Sequence, residues 1–174
     1  MRQLELLAPA RDANIGIAAI DCGADAVYIA GPRFGARQAA GNTIDDIRKL
    51  CSHAHKYGAR IFVALNTILF DDELEEAYSQ MLQIQEAGAD ALIIQDLAVM
   101  EMARHGIGNI RKDFNIPLHA STQCAIRTPE QAVQMVKSGD WVDYGTNVCF
   151  PTLLDAALAR RRDELLDVKI RGNL

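Results

Sequence analysis

Apolar residues along this chain gather in short unbroken runs, and three of the runs sit inside nearly the same phrase. These are Cys22-Gly-Ala-Asp-Ala-Val-Tyr-Ile-Ala-Gly31, Tyr57-Gly-Ala-Arg-Ile-Phe-Val-Ala-Leu-Asn66 and Ala87-Gly-Ala-Asp-Ala-Leu-Ile-Ile-Gln-Asp96. Each opens with a glycine placed to end a helix through a left-handed conformation. Each then continues into a run without alternation, as a strand buried on both faces requires. The runs stop at Gly31, Asn66 and Asp96. A recurrence of roughly 30 to 35 residues is the rhythm of helix–strand units and predicts a parallel sheet or a (β/α) barrel. Ligands in such folds bind at the carboxyl ends of the strands, so those ends are where chemistry is expected.

The pattern predicts strands over Leu4–Leu7, Val27–Ala30, Ile61–Leu65, Ala91–Ile94 and Leu118–Ala120. Asp12 is placed to cap a helix over 13–22, with Ile15, Ala18, Ala19 and Cys22 on one face. Thr43 caps a second, with Ile47, Leu50, Cys51 and Ala54 inward. A third carries Leu74, Ala77, Tyr78, Met81 and Leu82 behind the acidic start Asp71-Asp-Glu73, and a short fourth runs over Ala98–His105. Thr128-Pro-Glu-Gln131 combines a capping threonine, proline at the first helical position and glutamine in the capping-box position. After Gly139 the rhythm fails. Pro151 is expected to open one last helix reaching about Val168, with leucines at 154, 158, 165 and 166.

Composition changes this picture in two respects. At 174 residues the chain is shorter than the roughly 250 of a complete eightfold barrel. Its net charge of −5 argues against nonspecific nucleic-acid affinity over the whole surface. No apolar stretch approaches the roughly 20 residues of a membrane helix. The acidic start Met-Arg-Gln-Leu-Glu does not read as a signal peptide, so a cytoplasmic location is expected. The four cysteines, Cys22, Cys51, Cys124 and Cys149, lie far apart without a CxxC pair, and reduced thiols are expected, with Cys22 and Cys51 in the core.

Candidate chemistry collects at the strand ends. The glycine-rich loop after the second strand carries Arg33 and Arg37, which could grip a carboxylate or phosphate, or could be ordinary surface arginines. Asn66 and Thr67 leave the third strand. Asp96 leaves the fourth and is expected to cap the helix that follows. His119 and Ser121 share a strand face, but no nucleophile elbow and no orienting third group accompany them, so polar contact with a ligand is the expectation there. His53 and His55 point in different directions on a helix and do not read as a metal pair. Arg160-Arg-Arg162, beside Asp163 and Glu164, reads as a solvated helix face.

Several longer phrases resemble the collagenase-like peptidase family, U32. They are Leu4-Glu-Leu-Leu-Ala-Pro-Ala-Arg-Asp12, Gly23 to Pro32, Phe34-Gly-Ala-Arg37, Phe62-Val-Ala-Leu-Asn-Thr-Ile-Leu69, Asp71-Asp-Glu-Leu74 and His119-Ala-Ser-Thr-Gln-Cys124. The resemblance covers about residues 3–137. Its nearest branch is linked to hydroxylation of a cytidine in 23S ribosomal RNA, with sister branches for tRNA uridine and ubiquinone hydroxylation. It implies a barrel-like N-terminal domain, an iron–sulfur cluster held by cysteines further along the full-length protein, ribosomal RNA as partner, and prephenate in the RNA-hydroxylating branches. It makes Arg33, Arg37, Asn42, Asn66, Asp96, His119, Ser121 and Gln123 the candidates for a ligand-facing surface, without assigning catalytic roles.

Ala125 stands where that branch usually carries an acidic residue, and after about Lys137 the family phrases give way to a different sequence. The expected organisation is therefore α/β: a partial, truncated (β/α) TIM-type barrel over 1–139 and a divergent helical tail over 140–174. No cofactor is expected in this chain. The expected role is that of a fragment of an RNA-hydroxylation protein, inactive alone. A protease, as the family label suggests, and a non-catalytic anion- or partner-binding domain are the alternatives. The open edges of a partial barrel are expected to favour self-association.

Overall fold

In the computed structural model, residues 5–36, 41–108, 114–143 and 151–171 are described, and they divide into two compact units that meet between Cys124 and Ala125. The first unit alternates β1 (Leu7–Ala10), α1 (Ala13–Asp21), β2 (Ala26–Ala30), α2 (Ile44–Ala54), β3 (Arg60–Leu65), α3 (Leu74–Glu86), β4 (Ala91–Ile94), α4 (Leu97–His105) and β5 (Leu118–Ala120). All five strands are parallel and pair in chain order, β1-β2-β3-β4-β5.

The glycine phrases act as the sequence implies. Gly23, Gly58 and Gly88 have φ of 100°, 70° and 94°. After each, the next N–H reaches back five residues: Ala24 to the Ala19 carbonyl, Ala59 to Ala54, Ala89 to Ile84. This 6→1 bond closes each helix and turns the chain into the next strand. The aspartates of the phrase have a role that periodicity does not reveal. Asp25 Oδ2 accepts from the backbone N–H of Leu6 at 2.7 Å, and Asp90 Oδ2 accepts from that of Ile61 at 2.7 Å. Each carboxylate thus fastens the start of the preceding neighbour strand in the sheet.

Strand residues divide by parity. Val27, Ile29, Ile61, Val63, Leu65, Leu92 and Ile94 pack with the inner faces of the helices in one continuous core. Ala26, Phe62 and Ala91 form a smaller cluster with Tyr28 and Ile93 on the other sheet face. Burying a large aliphatic side chain is worth about 1.5–3 kcal/mol, so the larger cluster dominates the stability of this unit.

Several expectations are corrected. The first strand runs over Leu7–Ala10, not Leu4–Leu7. Pro9 lies inside it, which an edge strand tolerates because one side of its backbone needs no ladder partner. On α1 the buried residues are Ala13, Gly16 and Ile20, whereas Ile15 is 45% exposed and Cys22 is exposed. A Cβ on Gly16 would lie 2.8 Å from Leu50 Cδ1, so close approach of α2 selects the small face of α1 over the bulky one. On α2 and α3 the inward residues are as expected, except that Leu74 is only partly buried.

The second unit contains α5 (Pro129–Val133), β6 (Trp141–Asp143), α6 (Thr152–Ala159) and β7 (Lys169–Arg171). Its described core is Val133 with Ala157 and Leu158, which is why α5 belongs with the later residues and the compact units part earlier than position 139. The tail is not wholly helical. The helix expected to reach Val168 ends at Ala159, and β6 pairs in parallel with β7. These three-residue strands are too short to show a hydrophobic period. Among the described residues, no helix is long and apolar enough to cross a membrane.

Candidate functional site

At the carboxyl ends of the strands, three loops are drawn together by one amide. Asn66 follows directly on β3. Its Oδ1 accepts from the Ala36 N–H at 3.0 Å, and its Nδ2 donates to Ser121 Oγ at 3.4 Å. Ser121 follows β5, is 7% exposed, and is anchored by its own N–H to the Ile94 carbonyl at 2.7 Å. Its Oγ also accepts from the Gln123 N–H at 3.2 Å, in the single turn Thr122–Cys124. The Gln123 residue itself is exposed. The loops after β2, β3 and β5 therefore share one small hydrogen-bonded cluster.

The β2 loop is held firmly. Phe34 is buried with φ of 61°, a left-handed conformation uncommon for an aromatic residue and costing about 1–3 kcal/mol. Its carbonyl accepts from both the N–H and the hydroxyl of Thr67, each at 3.1 Å. A Cβ on Gly35 would lie 3.2 Å from the Ala64 carbonyl, so glycine is needed for the loop to lie this close to β3.

Other candidates spend their polar groups on the fold. Asn42 is buried, and its Nδ2 donates to the carbonyls of Arg11 and Ala30, tying the ends of β1 and β2. Asp96 caps α4 by accepting from Ala98 N–H at 2.9 Å and secures the loop after β3 by accepting from Leu69 N–H at 2.9 Å. His119 lies within β5 opposite Ile93, its ring edge-on to Phe62 at 4.8 Å between centroids. It therefore belongs to the sheet face of the smaller cluster.

The paired-arginine grip is not what Arg33 forms. Its guanidinium is bonded to Glu76 and lies 3.7 Å from Glu73, so its charge is already answered. Arg37 lies outside the described residues. The backbone of Arg33 is clamped by Gln80, whose Oε1 accepts from its N–H at 3.0 Å and whose Nε2 donates to its carbonyl at 2.7 Å. Beside this clamp lies a groove of about 450 Å³ bordered by Pro32, Arg33, Asn42, Thr43, Glu76 and Gln80. Sequence reasoning missed Gln80. Its signal was a polar residue next to Met81 on the buried stripe of α3, where an amide is retained only if it has partners.

The described cysteines do not fit an iron–sulfur cluster. Cys22 is exposed at the end of α1, Cys51 is in the core, and Cys124 donates through Sγ to the carbonyls of Ile94 and Gln95. Burial first, and the Asp90 charge second, push the Cys51 thiol up to about 12, so it resists becoming the thiolate a metal needs. Among the described residues no three His, Cys, Asp or Glu side chains group to hold a metal. Cys149 lies outside the described residues. The rim offers neutral amide and hydroxyl groups, a set suited to hydrogen bonding the edge of a base or a small oxygen-bearing ligand.

Residues 11–140 match the family model described as peptidase family U32. The 23S rRNA 5-hydroxycytidine C2501 synthase of Escherichia coli is 53% identical over 133 residues, covering 75% of this chain and 18% of that protein. The tRNA hydroxylation protein P1 of Bacillus subtilis is 30% identical over 170 residues, covering 97% of this chain and 37% of that protein. The chain thus spans less than two-fifths of the length of either relative. The solved structure of the U32 peptidase Mk0906 aligns with 99% of this chain and 69% of its own, at a TM-score of 0.55 and 12% identity, a likeness of fold. The chain belongs to peptidase family U32.

Proposed function

We propose that this chain is the N-terminal barrel sector of an RNA-hydroxylating U32 protein acting on a 23S ribosomal RNA cytidine in a prephenate-dependent reaction. The observation that carries this reading is the 53% identity over 133 residues to the E. coli C2501 synthase. The strictly consecutive parallel order β1 to β5 supports the barrel-sector part, since sequential (β/α) units of a barrel pair in that order. In this reading Asn66, Ser121 and Gln123 seat the base or the small co-substrate, and the chain alone does not complete the reaction.

A peptidase built on Ser121 is the weaker reading. A serine nucleophile needs a general base within reach of its Oγ. The groups bonded to this oxygen are the Asn66 amide and the Gln123 N–H, and neither is a base.

A graft tests the proposal. Residues 3–137 replace the matching segment of the E. coli synthase in a strain lacking that enzyme, and nucleosides from 23S rRNA are read by mass spectrometry. Restored 5-hydroxycytidine is the expected result. A folded, soluble graft that leaves C2501 unmodified would overturn the assignment.

A further inference from the structure

Between Arg60 and Arg104 the chain holds nine Asp and Glu residues, from Asp71 to Glu101, and no Lys, Arg or His. This stretch builds the loop after β3, α3, β4 and most of α4. Asp71, Asp72, Glu73, Glu75 and Glu76 crowd its first turns, and among the described residues Arg33 pairs with Glu73 and Glu76. At the same place large apolar side chains face water: Ile68 is 61% exposed, Phe70 72% and Leu97 60%.

Leu69 is buried and its N–H is bonded to Asp96 Oδ2, so its neighbours Ile68 and Phe70 are turned outward beside the start of α4, where Leu97 follows Asp96. A residue just before a helix often staples inward onto the first turns. At 72% exposure Phe70 does not, although its N–H is fixed by Glu73 Oε2 at 3.0 Å. The backbone is thus firmly held while the side chains it presents are left in solvent, which is the arrangement of a prepared contact rather than of a loose loop.

We infer that Ile68, Phe70 and Leu97, with the carboxylates at the start of α3, form a docking surface for a basic, amphipathic segment of a partner protein. The apolar trio supplies the anchor, and the carboxylates of Asp71, Asp72 and Glu75, which form no ion pair among the described residues, attract Lys or Arg flanking the partner's apolar residues. An RNA strand fits this surface poorly, because its phosphates would meet the same carboxylates. The inference stands apart from the rim of Asn66 and Ser121 and does not depend on the hydroxylation reading.

The probe is a fluorescein-labelled leucine–lysine amphipathic helix peptide, titrated against the full chain and followed by anisotropy. A leucine–glutamate peptide of the same length and a single-stranded RNA oligonucleotide are run beside it. The leucine–lysine peptide is expected to bind, more weakly as salt rises. The double variant Ile68→Ser, Phe70→Ser is expected to weaken it roughly tenfold while circular dichroism stays unchanged. Asp72→Asn with Glu75→Gln is expected to weaken it in proportion to the charge removed. Binding that survives the serine variant would reduce the effect to charge alone and overturn the inference. So would tighter binding of the RNA, or light scattering that shows a dimer of the chain lost on Phe70→Ser.

Discussion

The two ends of the parallel sheet are built on different principles. At the amino ends one solution is used repeatedly. A glycine with positive φ closes each helix at Gly23, Gly58 and Gly88, and the aspartates at 25 and 90 fasten adjacent strands through backbone N–H groups. At the carboxyl ends the loops after β2, β3 and β5 are each held differently. The β2 loop rests on the strained Phe34, the β3 loop on Asn66 and Asp96, and β5 runs into the turn that carries Ser121 and Gln123. Repetition is what stability alone selects, and departure from it concentrates at the end where ligands bind in folds of this kind.

The comparison breaks most visibly at Asp90. This carboxylate accepts from Ile61 N–H and pairs with His55 at 3.1 Å, so Asp90→Ala should lower unfolding free energy by about 2–3 kcal/mol in urea titrations. Asp90→Asn, which keeps an acceptor, should recover much of it. If Asp90→Ala is neutral, the amino end does not owe its stability to these ties. Gly88→Ala should cost about 1 kcal/mol by forcing a side chain into positive φ, since a Cβ there meets Cys51 only at ordinary contact, 3.5 Å.

A helix start at the carboxyl end gives a test by pH. Hydrogen bonds from the Thr43 N–H and then its hydroxyl hold the Asp46 carboxyl below the usual carboxylate value. A lowered folded value means the contribution is present above the unfolded value and is lost as pH falls through the folded one. Thr43→Ala should therefore cost about 1 kcal/mol near neutral pH, with the gap to the parent protein narrowing in acid. A gap that is constant with pH would show that the bond from the Thr43 hydroxyl to the carboxylate plays no part, since the bond from the Thr43 N–H survives the substitution.

The smallest effect on stability should come from the rim itself. Asn66→Ala removes the long bond to Ser121 together with the one from Ala36 N–H, and Ser121→Ala removes the same long bond with the one from Gln123 N–H. Because Ala36 and Gln123 are exposed and water can take the lost place, each should cost no more than about 1 kcal/mol. In the graft with the E. coli synthase they should nevertheless lower cytidine hydroxylation by about tenfold, the equivalent of a hydrogen bond lost from the transition state. A large stability loss with unaltered activity would make this end structural too and erase the contrast.

Part of this was legible before any coordinates. Thr43 and Thr128 announce helix starts because a cap is satisfied within three residues, and both cap as expected, the Thr128 box included. The inward stripe of α2 was legible because Ile47, Leu50, Cys51 and Ala54 leave little choice of face. On α1 both faces are apolar, and only the arrival of Leu50 beside Gly16 decides which is buried. For the site, the sequence located Asn66, Ser121 and Asp96 at strand ends and gave Asp96 its capping role, but side-chain type alone could not tell that Asp96 also holds Leu69 N–H or that Asn42 is consumed by backbone carbonyls. Nor could it tell that Arg33 is already paired with glutamates forty residues away or more.

Local chemistry by itself thus determined the glycine closures, the helix starts and the buried strands, because each is settled by neighbours a few residues apart. Tertiary structure alone decided the register that sets Asp25 and Asp90 against Leu6 and Ile61, and the meeting of Asn66 with Ser121. It also decided that Phe70 stays in water while Leu69 goes inside. Those outcomes depend on which distant groups arrive to share a hydrogen bond or fill a space, and hydrophobic periodicity carries no information about that arrival.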